Sequence, residues 1–292
     1  MKVLITGATG QLGHEVVRVC ARPGCEVFTP SRQAMDFMVP DRVAETVLAC
    51  RADWVVNCAA YTQVDRAESE PEAAFTVNRD SAGRLAQAVA ESGGRLLQVS
   101  TDFIFDGRQS HPYQVDDLAN PLSVYGQSKL EGERAVLEAM PDATVLRSAW
   151  VYGAHGHNFV KTMLRVAGSG KPLRVVNDQV GTPTWAADIA AAILSLIDCD
   201  ATGVFHYTNA GQTTWHGFAT AILAEAARLG FDIKTQTVDP IPTAEYPTPA
   251  TRPAYSVLDT QKIQACLPAP VPEWRDSLHN MLKELYSCAD CW

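Results

Sequence analysis

Short apolar runs alternate with amphipathic stretches through the first half of this chain, and that alternation sets the expected fold. Lys2–Thr6, Asp53–Asn57, Arg95–Val99 and Thr144–Ser148 are largely apolar runs, the pattern of strands buried on both sides of a parallel sheet. Glu26–Thr29 reads as a further strand. Between them, Glu15–Ala21, Pro40–Cys50, Pro71–Ser92 and Ser123–Ala139 carry apolar residues at helical spacing. Pro40 and Asp41 suit a helix start, and Gly93-Gly94 suits a helix end. Strands and helices in this order predict an α/β protein with a doubly wound parallel sheet of Rossmann type and right-handed crossovers.

The alternation loosens after Trp150. Asn158–Ala167, Thr184–Ile197 and Thr214–Leu229 read as helices, and Leu173–Val176 and Gly203–His206 as strands. Ile241–Pro253 is crowded with Pro242, Pro247, Pro249 and Pro253, which argues against regular structure. It is either a linker or a rigid loop beside a cleft. The expected division is a larger domain over residues 1–148 and a smaller lobe over 149–292. The strands at 173–176 and 203–206 are expected to return to the first domain's sheet.

Composition narrows the function. A chain of 292 residues can bury a large core, and it lies near the size where one core splits. A formal net charge of -9 argues against a nucleic-acid partner and against a polybasic membrane contact. No apolar run reaches the roughly 18–20 residues of a membrane span. The opening M-K-V-L-I-T-G lacks the length of a signal peptide, so a cytoplasmic location is expected. The cysteines are expected to be reduced, behaving as small hydrophobes. The Cys-x-x-Cys in the tail Ser287–Trp292 supplies only half a zinc site and is read as a frayed, non-functional end.

The chemistry gathers at the ends of the expected strands. Gly7-x-x-Gly10-x-x-Gly13 follows the first strand and opens the first helix. There, glycines permit a tight turn and close backbone approach, and a helix N-terminus offers N–H groups to a pyrophosphate. The second strand ends in Thr29-Pro30-Ser31-Arg32, without the acid that usually holds a ribose 2′-hydroxyl. Arg32 and Ser31 could instead meet a 2′-phosphate, which favours NADPH and leaves NADH open. The fourth strand ends in Ser100-Thr101-Asp102, facing the ligand crevice. Downstream, Tyr125 and Lys129 form the only Tyr-x-x-x-Lys in the chain. Four residues apart, they share one helix face. The Lys charge is expected to favour the phenolate, whose ordinary pKa is about 10.

These residues resemble the extended short-chain dehydrogenase/reductases, and more closely the dTDP-4-dehydrorhamnose reductase family. The resemblance runs through A-A-Y-T-Q-V-D-R-A-E (59–68), S-T-D-F-I-F-D-G (100–107), L-R-S-A-W-V-Y-G (146–153), N-F-V-K-T-M-L (158–164), V-N-D-Q-V-G-T-P-T (176–184), T-T-W-H-G-F-A (213–219) and Y-P-T-P-A-T-R-P (246–253). It implies that Thr101, Tyr125 and Lys129 are catalytic. It implies cofactor contacts at Gly10, Gln11, Leu12, Asp36, Phe37, Ala60, Tyr61, Thr62 and Val99, beside Gly7, Gly13, Ser31, Arg32 and Ala59. Asp102 and Trp150 would meet the sugar nucleotide, and Arg252 its phosphates. The implied reaction is NADPH-dependent reduction of the 4-keto group of a dTDP-sugar, dTDP-4-dehydro-L-rhamnose, to dTDP-L-rhamnose. Another 4-keto-sugar reductase, an epimerase and a non-catalytic subunit like that of methionine adenosyltransferase remain as alternatives, and a homodimer is left open.

Two departures from the family pattern stand out. Some members are associated with magnesium at an acid in the first helix and another after Gly-Thr-Pro-Thr. Glu15 is present here, but the second position is Ala187, so a magnesium-linked dimer is not expected. Phe103 stands where Tyr is common. His155-x-His157 has no acid at metal-ligand spacing, so no metal ligands are expected. There is no Gly-x-Ser-x-Gly element for a serine nucleophile.

Overall fold

In the computed structural model, which describes residues 1–235 and 237–288, six parallel strands form the central sheet. They are β1 (Lys2–Thr6), β2 (Glu26–Phe28), β3 (Trp54–Asn57), β4 (Arg95–Thr101), β5 (Thr144–Ser148) and β6 (Gly203–His206), in the order β2-β1-β3-β4-β5-β6. Helices α1 (Gln11–Cys20), α2 (Pro40–Cys50), α3 (Ser81–Ser92) and α4 (Val124–Ala139) belong to the first half. The second half adds α5 (Phe159–Gly168), α6 (Ala186–Asp198), α7 (Trp215–Leu229) and α8 (Trp274–Ser287).

The strands read as apolar runs because both of their faces are covered. Val3, Ile5, Val56, Leu97 and Leu146 pack with Val16 of α1 and with Ile189 and Ile193 of α6. Leu4, Val55 and Leu96 point the other way, into Val43 and Val47 of α2, Leu85 and Val89 of α3 and Val136 of α4. Each such side chain contributes roughly 1.5–3 kcal/mol when it leaves water. The chain steps outward from β1 to β2, then returns past β1 to β3. That reversal opens a crevice at the strand C-termini, where ligands bind in open parallel sheets.

The second half has its own core, in which Tyr152, Val160, Leu164, Phe218, Ile222, Trp274, Leu278 and Leu282 meet. Gly203–His206 occupies the free edge of β5, from Gly203 opposite Thr144 to His206 opposite Arg147. Leu173–Val176 does not return to the main sheet, contrary to the sequence pattern. It pairs in parallel with Val238–Ile241 in a separate two-stranded sheet. β6 already fills the edge, and Leu173 and Val175 face the second core instead. The long helix expected over 71–92 is also interrupted. Pro71–Phe75 is α-helical, Thr76–Asp80 is a π-turn, and α3 follows.

Among the described residues no helix is long and apolar enough to cross a membrane. The Cys-x-x-Cys motif reaches Cys291, outside the described residues.

Candidate functional site

The crevice is built from the glycine turn upward. Gly7 is left-handed, with φ +64, and a Cβ on it would stand 2.8 Å from the Ala59 nitrogen. The Gly10 N–H donates to the Gly7 carbonyl at 2.9 Å. A Cβ on Gly13 would fall 2.1 Å from that same carbonyl oxygen, so helix and turn can touch only through glycine. Gly10 caps α1 without a side-chain hydrogen bond. The first-turn N–H groups are therefore left for a ligand, which fits the pyrophosphate of a dinucleotide. Leu12 is buried in the core below, and Gln11 accepts from Asn158 Nδ2 at 3.0 Å, fastening the loop after Gly153 to this turn.

A buried row of polar side chains fixes the strand ends. Thr6 Oγ1 donates to Asn57 Oδ1 at 2.5 Å, and Asn57 Nδ2 donates to Gln98 Oε1 at 2.7 Å. The Ala59 N–H completes the row by donating to Thr6 Oγ1 at 3.1 Å. The row steers Ala59, Ala60, Tyr61 and Thr62 along the crevice. Asn78, in the π-turn, then holds Tyr61 at both backbone atoms, accepting from its N–H at 2.9 Å and donating to its carbonyl at 3.1 Å. Its Nδ2 also donates to Ser128 Oγ on α4 at 3.0 Å. A Cβ on Gly132 would lie 2.0 Å from the Asn78 carbonyl oxygen, so α4 rests directly on the π-turn. The Tyr61 phenol donates to Glu70 at 2.8 Å. At the far end, Ser31 and Arg32 are exposed beyond β2, and Asp36 accepts from the Met38 N–H at 3.0 Å. Ser81 donates to the Phe37 carbonyl at 2.6 Å.

Tyr125 and Lys129 lie one turn apart on α4, whose cap is Ser123, accepting from the Gly126 N–H at 3.1 Å. A Cβ on Gly126 would be 2.3 Å from the Phe103 carbonyl oxygen, which sets the helix start against the end of β4. Phe103 packs edge-on against the Tyr125 ring, 5.5 Å between centroids. Burial pushes the Tyr125 phenol up to about 12; its hydrogen bond with Thr101 pulls the other way, and the Asp102 charge adds to the rise. Lys129 is 4% exposed and donates from Nζ to the Val99 carbonyl at 2.7 Å. Burial brings its ammonium down to about 8, opposed by the Glu133 charge. The expected lowering of Tyr125 by Lys129 is thus not realised in the protein alone. Desolvation dominates instead, and the phenol keeps its proton near neutral pH.

The substrate-side residues divide. Asp102 is buried, its Oδ1 accepts from Thr101 Oγ1 at 3.1 Å, and desolvation raises its carboxyl to about 6 against the pull of Ser256 and Thr101. Trp150 is half-buried with a left-handed backbone, φ 47, rare for a bulky side chain. Its indole stacks on Trp215 at 3.6 Å and 7°, and a Cβ on Gly181 would press into it at 2.4 Å. It also packs on the cluster containing Leu130, next to Lys129 in α4. Arg252, expected to be free for phosphate, is bound bidentately to Asp65 at 3.0 and 2.8 Å and to Thr248 at 2.6 Å. The proline-dense segment is therefore tied to the short helix Val64–Ala67 that follows the Ala59–Thr62 path. Sequence reasoning did not find Asn78, Gln98, Ser128, Trp215 or Ser256. Each acts through a partner distant in the chain.

Fold and crevice together define a Rossmann-type enzyme scaffold of the extended short-chain dehydrogenase/reductase class. Residues 1–287 match the family model described as RmlD substrate binding domain, and the chain belongs to that family. It is 41% identical over 290 residues to dTDP-4-dehydrorhamnose reductase of Sinorhizobium fredii, covering 97% of both chains. It superposes with TM-score 0.92 on a dTDP-4-dehydrorhamnose reductase of Clostridium acetobutylicum, at 38% identity, covering 98% of this chain and 100% of that one. The Bacillus anthracis reductase, solved in complex with NADP, matches with TM-score 0.91 at 33% identity, covering 97% and 99%.

The pair of acids that the family resemblance implies for magnesium is incomplete in this chain. One Glu15 oxygen is held by Arg18 Nε at 2.8 Å, and Ala187 supplies no oxygen donor. The fold does, however, bring His14 and Glu15 to His155, a grouping the linear spacing of the histidines concealed.

Proposed function

We propose that this protein reduces the 4-keto group of dTDP-4-dehydro-L-rhamnose, using NADPH, and yields dTDP-L-rhamnose. One observation carries the reading. A buried phenol near the end of β4 shares a helix face with a buried Lys that is held to the Val99 carbonyl, beside a dinucleotide-type crevice. Reduction of a ketone needs a proton donor at the forming alkoxide, and Tyr125 with a pKa near 12 holds its proton until that oxygen becomes basic. When bound, NADPH supplies the hydride. Thr101 orients the ketone oxygen toward the phenol. Lys129, placed over the end of β4 by the Val99 carbonyl, positions the nicotinamide ribose and supports the phenolate left after proton transfer. Gly7, Gly10 and Gly13 admit the pyrophosphate, with Gln11 and Leu12 beside it and Ala59–Thr62 and Val99 along the ribose. Asp36 and Phe37 frame the adenine. Asp102 and Trp150 hold the sugar nucleotide. Arg252 reaches a phosphate only by exchanging Asp65 for it. Incubation with NADPH and the 4-keto sugar nucleotide, followed by NMR of the product, tests the reading. A C4-reduced L-sugar is expected, and an unreduced C4 ketone or an epimer would overturn it.

Two further outcomes follow. Ser31 and Arg32 are exposed beyond β2, and on this reading they meet the 2′-phosphate. A hydrogen bond to a charged group is worth about 1.5–3 kcal/mol. Arg32→Ala should therefore weaken NADPH binding by about 10- to 100-fold and leave NADH nearly unchanged, as read by fluorescence titration of both coenzymes. Equal losses for both would remove Arg32 from coenzyme choice. Lys129 loses its charge as pH rises through about 8. kcat/KM for NADPH reports ionisations of the free enzyme. It should fall above that pH in the wild type, and Lys129→Met should be slow and lack that limb.

A further inference from the structure

His14 and Glu15 lie in the first turns of α1, and His155 sits in the loop between Gly153 and Gly156, far away in the chain. One ligand atom from each of the three residues lies within 4.8 Å of the others. The imidazoles face each other with centroids 3.6 Å apart and planes tilted by 36°. Glu15 is 1% exposed, and its Oε2 is engaged by Arg18. Its Oε1 is buried and has no hydrogen-bond partner. An unsatisfied carboxylate oxygen in the interior is costly. Beside two imidazoles, the partner that satisfies it best is a cation.

We propose that His14, Glu15 and His155 form a binding site for a borderline divalent transition cation of the Zn2+ class. Two imidazole nitrogens and one carboxylate oxygen are donors that suit Zn2+, Co2+ or Ni2+, with water in the remaining position. Mg2+ prefers an octahedral shell of oxygens, which this set does not offer. Bonds of about 2.0–2.1 Å place tetrahedral ligand atoms roughly 3.3 Å apart, so the ligand atoms draw together by up to about 1.5 Å while the facing rings swing edge-on to aim their in-plane lone pairs at the ion. The two histidine side chains supply that movement by rotation, both being only partly buried. The bound ion stays within one chain, clipping the 153–158 loop to the start of α1. The Asn158–Gln11 hydrogen bond already fastens the same two segments at 3.0 Å. Metal would therefore brace the turn that receives the pyrophosphate from outside it.

The test is titration of the purified, metal-free protein with Zn2+ by calorimetry and with Co2+ by visible absorption. Expected is one ion per chain, a Co2+ spectrum of nitrogen and oxygen ligation without thiolate charge-transfer bands, and a rise in melting temperature with Zn2+ but not Mg2+. His155→Gln and His14→Asn should each weaken Zn2+ binding by at least about 10- to 100-fold. His157→Gln, one loop position further on, should not change it. The far-UV spectrum and metal-free melting temperature of His155→Gln confirm that the variant folds. Stoichiometric binding unchanged in both variants, thiolate bands with Co2+, or no binding to the wild type would each overturn the assignment.

Discussion

Tyr125→Phe lowers kcat by roughly 10²- to 10⁴-fold and leaves coenzyme affinity close to that of the wild type. The change removes one oxygen from a side chain whose ring stays packed on Phe103 and against Ala67 and Ala74. The fold should therefore be retained, and the loss should fall on the proton-transfer step. kcat and kcat/KM for the sugar nucleotide should drop together, the mark of an interaction made only in the transition state. Thr101 keeps its hydrogen bonds to Asp102 and from the Phe103 N–H. Steady-state kinetics with coenzyme titration by fluorescence check both halves. Near-normal turnover would show that another group delivers the proton.

Glu133→Leu destabilises the protein by about 3–5 kcal/mol, the usual result of removing one partner of a buried ion pair. Glu133 and Arg147 are 3% and 7% exposed. Arg147 Nε lies 3.0 Å from Glu133 Oε1, and its terminal nitrogen lies 2.7 Å from Oε2. The Val115 carbonyl accepts the remaining arm at 3.0 Å. Without the carboxylate, the guanidinium stays buried with neutral partners only, the Val115 carbonyl and His206 Nε2 at 3.3 Å. His206, kept neutral because burial and the Arg147 charge bring its pKa down to about 3, adds no repulsion but also supplies no negative charge. In a chain of this size the loss corresponds to a fall in melting temperature of roughly 5–8 °C. Glu133→Leu combined with Arg147→Met should recover most of it. A single variant that melts with the wild type would mean the pair is not what joins α4 to β5.

The parts of the site that could be read from the chain are those made by neighbours in sequence. The spacing of Gly7, Gly10 and Gly13 after an apolar run already states a strand, a turn and a helix. Tyr125 and Lys129 share a face because a helix repeats that way, whatever surrounds it. Their electrostatics were not legible. Lys129 points to the Val99 carbonyl, and burial rather than the Lys charge governs Tyr125. The row Thr6–Asn57–Gln98 depends on which strands are adjacent, which no local pattern records. Asn78 looked like one polar position in a long helix, yet a π-turn directs it at Tyr61 and Ser128. Arg252 is a cation by composition and an Asp65 partner by fold. Leu173–Val176 has the composition of a sheet strand, but β6 occupies the sheet edge and Leu173–Val176 pairs with Val238–Ile241 instead. The grouping of His14, Glu15 and His155 likewise exists only after the second half folds back onto α1.

The central claim is that this crevice carries out a net hydride reduction with Tyr125 as its acid. Absorbance at the reduced-nicotinamide band, followed with purified 4-keto sugar nucleotide in limiting amount, tests it most directly. The account predicts that one NADPH is oxidised for each sugar consumed, and that Tyr125→Phe slows the decay by orders of magnitude. A flat trace with active coenzyme and intact substrate, or sugar turnover with no NADPH consumed, would contradict it.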